Sequence, residues 1–398
     1  MKRWQAFKFV CDQLDATLLQ GGPFNKRPPV SWELVIECAS HHCVTPALSW
    51  CLNETSSPIP SDVRGYFDAL FTLNTIRNES ILAGVERVVK ALNAIDVEPV
   101  LLKGASHLLE KLYPALGIRI VGDLDVLIQD DRALEAAAAL EAIGFCGSNV
   151  HLPATHHHLP GMRDPESGLY VELHTRVDHR EEVLSRYWFD QRTTKTVFRG
   201  LHVRIPDATA NIGHNIIHSQ LNHQGYRFSR VQLRELLDLA MIRARHEATI
   251  DWAELDGLFT AAEHGQVLAT YLKIAELVFE QPSPKLRTMP RRLTLERLRV
   301  RIEEPDRQLR ARHYETHRKL NEALAKLSNE HEITNIENRT LRSTLEQARS
   351  EVELLTQQRL QARSEVELLK HQLNAVHNST SWKLTKPLRA VVRFVRGS

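Results

Sequence analysis

Residues 118–128 read IRIVGDLDVLI, an apolar, strand-like stretch interrupted by two carboxylates, Asp123 and Asp125, two positions apart. In a β-strand, positions i and i+2 project from one face. The two acids would then stand side by side while Leu124, Val126 and Ile128 point the other way into a core. Like charges that close repel, and one stays partly protonated unless a cation lies between them. Folding does not ask for such a pair. A chain that carries it must supply a cation of its own, through a partner such as Arg119, or take up a metal ion.

The flanking pattern places this stretch in an α+β core. Residues 99–102 (PVLL) read as a buried strand, and Lys103-Gly104-Ala105-Ser106 turn from it into a helix reaching Tyr113-Pro114. After the acidic strand comes an alanine-rich helix over 133–143, closed by Gly144. A histidine-rich loop, 151–158, leads to a third strand at 168–174. There Tyr170, Glu172 and His174 share one face and Leu169, Val171 and Leu173 the other. Strands alternating with helices indicate a small mixed sheet. Helices flank it on both sides. Ser31 is an expected N-cap before Trp32, Val35, Ile36 and Ala39 at helical spacing. Residues 61–95 keep that spacing through Val63, Phe67, Leu70, Leu73, Leu82, Val85, Val89 and Leu92, and 208–280 read as helical again.

Three features of the core carry chemistry. Gly104 lets backbone approach a phosphate, and the helix start beside it supplies N–H donors and positive potential. Ser106 adds a hydroxyl and Lys103 a point charge. Glu172 joins Asp123 and Asp125 to make three carboxylates on adjacent strands beside that turn, which is what two-metal phosphoryl or nucleotidyl transfer requires. Oxygen ligands of this kind suit Mg²⁺.

The segments LLKGASHLLEKLYP (101–114), IRIVGDLDVLI, Gly144-Phe145 and VELH (171–174) resemble the uncharacterised bacterial nucleotidyltransferases of the DNA polymerase β superfamily. The likeness runs from Ser31-Trp32 through HNIIHSQLNHQGYRFSRVQLRELLDLA, roughly residues 30–280. It implies a transferase that moves NMP from an NTP to an acceptor with two Mg²⁺ ions. By this resemblance Gly104 and Ser106 bind the triphosphate, and Asp123 and Asp125 hold the metal. Glu172 is the third acid and the base for the acceptor hydroxyl. Arg119 falls where the family has a basic residue, and Lys103 and His174 are expected to contact nucleotide or substrate. One departure is that Ala105 stands between Gly104 and Ser106, where the family's turn follows Gly directly with Gly or Ser.

Composition narrows the setting. Hydrophobic content of 42%, charged content of 25% and a net charge of +2 are those of an ordinary soluble protein, and nucleic acid is not an expected partner. Asp12 and Asp15 interrupt the first apolar stretch, no run reaches the roughly 20 residues of a membrane span, and the five cysteines show no paired spacing. The expected location is the cytoplasm. Cys38, His41, His42 and Cys43 lack a second ligand pair, and His214, His218 and His223 are candidates for the acceptor side. Asp238 reads as structural, and the His-rich loop as a variable segment.

Beyond Gln281 the pattern changes. Pro282, Pro284 and Pro290 with a basic run over 285–301 read as a linker. From Leu320 to Val376 a heptad seam can be written, with QARSEVELL repeated at 347–355 and 361–369, an offset of two heptads that keeps the seam. A coiled-coil homodimer follows. The tail, NSTSWKLTKPLR and beyond, resembles a short motif of bacterial polysaccharide-assembly proteins. Its basic amphipathic stripe is suited to an anionic surface, peripheral to the inner membrane. The expected organisation is a helical region at 1–95, a catalytic core at 96–205 and a helical part of the same domain at 206–280. A basic linker at 281–312, a coiled coil at 313–377 and the tail at 378–398 complete it. The alternative is a non-catalytic coiled-coil scaffold on a degenerate nucleotidyltransferase fold.

Overall fold

The computed structural model describes residues 2–54, 58–147, 156–290 and 293–303. The chain divides into two units, 1–312 and 313–398, and every described residue belongs to the first. The expected coiled coil and tail lie outside the described residues.

The N-terminal part is helical: α1 (Lys2–Leu14), α2 (Trp32–His41), α3 (Thr45–Asn53) and the long α4 (Ser61–Asn93). Ser31 takes the extended backbone of an N-cap, but its side chain makes no capping hydrogen bond. In α4, Phe67, Val85, Val89 and Leu92 are buried as their spacing predicts, whereas Leu73 is 61% exposed. Asn74 and Asn78 take buried places on that helix instead. A helix this long meets the core through different faces along its length, so one apolar stripe does not describe it.

The centre is a mixed α/β arrangement: β1 (Val100–Leu101), α5 (Lys103–Leu109), β2 (Leu124–Leu127), α6 (Ala133–Ala142), β3 (Cys146–Gly147), β4 (Met162–Arg163) and β5 (Tyr170–His174). Then come α7 (Arg186–Gln191), β6 (Thr193–Phe198) and β7 (Leu201–Pro206). These strands form one seven-stranded mixed sheet in the order β3-β4-β5-β2-β1-β7-β6. It is larger than the small sheet expected, because four strands escaped the pattern. The β6–β7 hairpin turns at Arg199-Gly200, both at positive φ (51° and 81°), the conformation of a tight type I′ turn.

The acidic strand is shorter than expected. Only residues 124–127 are strand, so Asp123 sits at its entrance. Upstream, the carbonyls of Leu116, Gly117 and Arg119 accept from Asn74 and Asn78 side chains instead of joining a ladder. Behind β2 and β5, Leu124, Val126, Ile128, Leu169, Val171 and Leu173 join one buried cluster with α4 and α6.

The C-terminal helices are α8 (Ala208–Ile216), α9 (Gly225–Phe228), α10 (Leu233–His246), α11 (Trp252–Ala261), α12 (Gly265–Phe279) and α13 (Leu295–Glu303). They share a second core with α1–α3. Leu293 and Leu298, in the stretch expected as linker, are buried in that core. Among the described residues no helix is long and apolar enough to cross a membrane.

Candidate active site

Strand pairing builds the site. β2 and β5 run parallel with Asp125 opposite Glu172 and Leu127 opposite His174, which puts Asp125, Glu172 and His174 on one face of the sheet. β1 pairs antiparallel with β2, Leu101 against Val126, and the chain turns at once into α5. Lys103 occupies that corner with left-handed backbone, φ 49°, a conformation that costs a lysine on the order of 1 kcal/mol. Its Nζ lies 2.7 Å from Asp125 Oδ1. The same oxygen accepts from His174 Nε2 at 2.9 Å. Since a carboxylate only accepts, Nε2 carries the proton. His174 Nδ1 is then left buried without a hydrogen-bond partner.

The electrostatics follow from these contacts. Burial alone would raise Asp125, but Lys103 and His174 hold it well below the usual carboxylate range. Burial and then the Asp125 charge push Asp123 the other way, to about 6, against the opposing pull of Lys103. Glu172 would also be raised by burial, yet the His174 hydrogen bond keeps it below its ordinary value. His174 rises despite burial, because it donates to Asp125 and lies 3.5 Å from Glu172 Oε2. One acid of the pair is thus fully compensated and its neighbour is not.

Lys103, Asp123, Asp125, Glu172 and His174 gather here. Gly104, Ser106 and Arg119 lie in the layer that supports them. A Cβ on Gly104 would meet Arg119 Nη1 at 2.7 Å and the Val121 methyls at 2.9 and 3.0 Å, so close packing is what requires the glycine. Ser106 is fully buried and its hydroxyl donates to the Lys103 carbonyl at 2.9 Å, pinning the corner. Arg119 pairs with Asp238 of α10 through Nε (3.0 Å) and Nη2 (2.7 Å), not with Asp123. Asp238 also accepts from Tyr113 Oη at 2.7 Å, which makes it the structural residue expected.

Other residues around the site carried weaker signals in the sequence. Arg234 of α10 is the further cation that offsets Asp123. Asp178, buried after β5, accepts from Asn222 and from the Arg180 backbone. His214 and His218 stand within the field of Lys103 and Asp125. Burial first, then Lys103, drives His214 down to about 3 and keeps it neutral. His218 and Asn222 lie on a π-helical segment, Ile217–Asn222, a geometry often found where helices serve function. Asn74 and Asn78 could be found only as polar residues inside an amphipathic stripe.

Asp125, Glu172 and His174 bring metal-capable atoms within 4.8 Å of one another, and with His174 Nε2–H donated to Asp125 the two carboxylates are the groups free to take an ion. The carboxylate oxygens suit Mg²⁺, and Asp123, raised by burial and then by the Asp125 charge, is offset only in part by Lys103 and Arg234, so a bound cation would add to that compensation. The residues present therefore fit a divalent ion.

The family described as "Uncharacterised nucleotidyltransferase" matches residues 28–280, and the chain belongs to it. Among solved structures it is similar to an antigenic nucleotidyltransferase-like protein from Paracoccidioides brasiliensis. The identity is 18% and the TM-score 0.30, over 54% of this chain and 98% of that one. At that score nothing is carried over from it. No curated protein matches the chain.

Proposed function

We propose that the chain transfers an NMP group from an NTP to an acceptor hydroxyl, the acceptor oxygen bonding to the α-phosphorus as the bond to the β-phosphate breaks and pyrophosphate leaves. The observation that carries this is the parallel register that sets Asp125 beside Glu172, with Asp123 at the strand entrance next to them. Asp123, Asp125 and Glu172 would hold Mg²⁺, which supplies charge neutralisation for the phosphates and a template for in-line displacement. Lys103 Nζ, beside Asp125, is the ammonium positioned to meet a triphosphate brought to these carboxylates. Gly104 and Ser106 shape the corner that presents it. Glu172, kept anionic by His174, accepts the acceptor's proton. His174 holds both acids in place through Nε2–H.

The acceptor belongs, on the tail's resemblance alone, to cell-surface polysaccharide synthesis. A scaffold with a degenerate site is the competing reading. The intact acids and their shared face favour the enzyme.

Incubating the purified full chain with each α-phosphate-labelled NTP, Mg²⁺ and a lysate should transfer label to an acceptor. Asp125→Asn or Glu172→Gln should lower the rate by about 10²–10⁴-fold without loss of the folded transition. Absence of both label transfer and nucleotide binding in the wild type would favour the scaffold instead.

A further inference from the structure

Beside the acidic face, on its outer side, lies a cluster of imidazoles. His156, His157 and His158 run next to the end of β5, and the segment is pinned there. Leu159 N donates to Leu173 O at 2.9 Å, Thr175 N to His157 O at 2.9 Å, and His158 bridges to His174. Ring centroids of His156, His157 and His158 stand 4.2 to 4.7 Å apart. His179, from the loop after β5, closes on the group, its Nε2 2.8 Å from His157 Nδ1.

Hydrogen bonding shows what this cluster lacks. His158 Nδ1 lies 2.6 Å from the Leu159 carbonyl, so Nδ1 bears the proton. In the neutral ring Nε2 then carries the lone pair, and it faces Glu172 Oε2 at 3.6 Å. Two acceptors therefore face each other there, an arrangement that a metal ion beside the ring would satisfy. One nitrogen from each of His156, His157 and His158 lies within 4.8 Å of the others, which is a chelating arrangement without an ammonium or guanidinium in it.

We propose that His156, His157 and His158 form a transition-metal site, Zn²⁺ by preference, on the outer side of Glu172. Nitrogen donors select Zn²⁺ and its neighbours in the series over Mg²⁺, which takes oxygen. Three imidazoles leave a fourth position open, as in zinc sites that keep a place for water or substrate. His179 acts on the ring of His157 through their hydrogen bond, fixing its orientation as outer partners of ligating histidines do. The site differs in ligand chemistry from the oxygen site proposed for Mg²⁺, and Glu172 is the wall between them.

The test is metal binding, independent of nucleotide turnover. Metal-free full-length protein is titrated with Zn²⁺ by calorimetry and with Co²⁺ by visible absorption. One Zn²⁺ per chain should bind at micromolar or tighter affinity, and Co²⁺ should give the intense bands of a four-coordinate nitrogen site. His156→Gln with His158→Gln should weaken Zn²⁺ binding at least tenfold with the far-ultraviolet spectrum unchanged. His179→Gln should weaken it less, and Asp123→Asn not at all. Wild-type protein that binds no Zn²⁺ in the micromolar range, or shows only the weak bands of six-coordinate Co²⁺, overturns the proposal. So does a folded double variant that binds as the wild type does. Should the double variant not fold, the wild-type Co²⁺ spectrum decides.

Discussion

Asp238 shows how much a single buried charge can organise. It holds Arg119 through two guanidinium nitrogens, accepts from Tyr113 and lies 3.6 Å from His107 Nδ1. Burial would raise its pKa, but Arg119 and His107 carry it far below the usual carboxylate range. Because its folded pKa is depressed, its contribution is fully present above the unfolded value near 4 and is lost as pH falls through its own lower one. Asp238→Ala strands Arg119 as a buried, unpaired cation, with an expected cost of about 3–5 kcal/mol, readable by urea denaturation at pH 7. Asp238→Asn should flatten the acid limb of stability below about pH 4; an unchanged limb would place the acid sensitivity elsewhere. Arg119 was legible as a basic residue near the acidic strand. Its partner, 119 positions away, was not, since sequence spacing carries no information about which helix closes over a loop.

Among elements, the strand-to-helix corner from β1 into α5 is the most constrained. Lys103 takes the left-handed backbone, Gly104 supplies the space and Ser106 ties the turn to its own first carbonyl. The Arg119 guanidinium over Gly104 is fixed by Asp238 and cannot withdraw freely. Gly104→Ala should therefore cost about 1–3 kcal/mol through overpacking, and should move Lys103 off Asp125 enough to weaken nucleotide binding. A stability equal to wild type would mean that the corner yields more easily than its packing indicates. The acidic strand shows the limit of periodicity. Alternation assigned the faces correctly, with Leu124, Val126 and Ile128 buried behind and Asp125 in front. It overextended the strand, because an apolar stretch served by Asn74 and Asn78 looks the same as one in a ladder.

For the whole molecule, the last described residues bear on where the folded unit stops. Leu293 and Leu298 fill the helical core, and burying each contributes about 1.5–3 kcal/mol. A chain cut after residue 280 should lose stability of that order, while one cut after 312 should melt with the full-length transition; equal melting of both would make the segment dispensable. The heptads beyond lie outside the described residues. In the seam written with Leu324, Leu345 and Val352 at a positions, Asn338 also falls at a, where a buried Asn pairs with its mate, so full-length protein should be a dimer by light scattering and the 1–312 chain a monomer. A full-length monomer at micromolar concentration would rule out self-association. The tail's five basic residues (Lys383, Lys386, Arg389, Arg393 and Arg396) should contribute on the order of 1 kcal/mol each at an anionic leaflet. Sedimentation with anionic but not neutral vesicles, reversed by salt, is the expected result. Binding that survives removal of residues 381–398 would assign it to another part of the chain.

The sequence by itself determined the class of core, the strand faces and the identity of the acids, because side-chain alternation and helical spacing are local and repeat within a few residues. It also contained the family's segments in order. What it could not contain were partners. The parallel register that seats Asp125 against Glu172, the lysine that compensates one acid and leaves the other near 6, and the edge-on approach of His179 to His157 join residues some twenty or more positions apart. Only packing decides which of those meet. Short strands such as β3 and β4, two residues each, lie below any period that could reveal them. β4 exists because β5 offers an edge to pair with, and β3 because β4 then offers the next one.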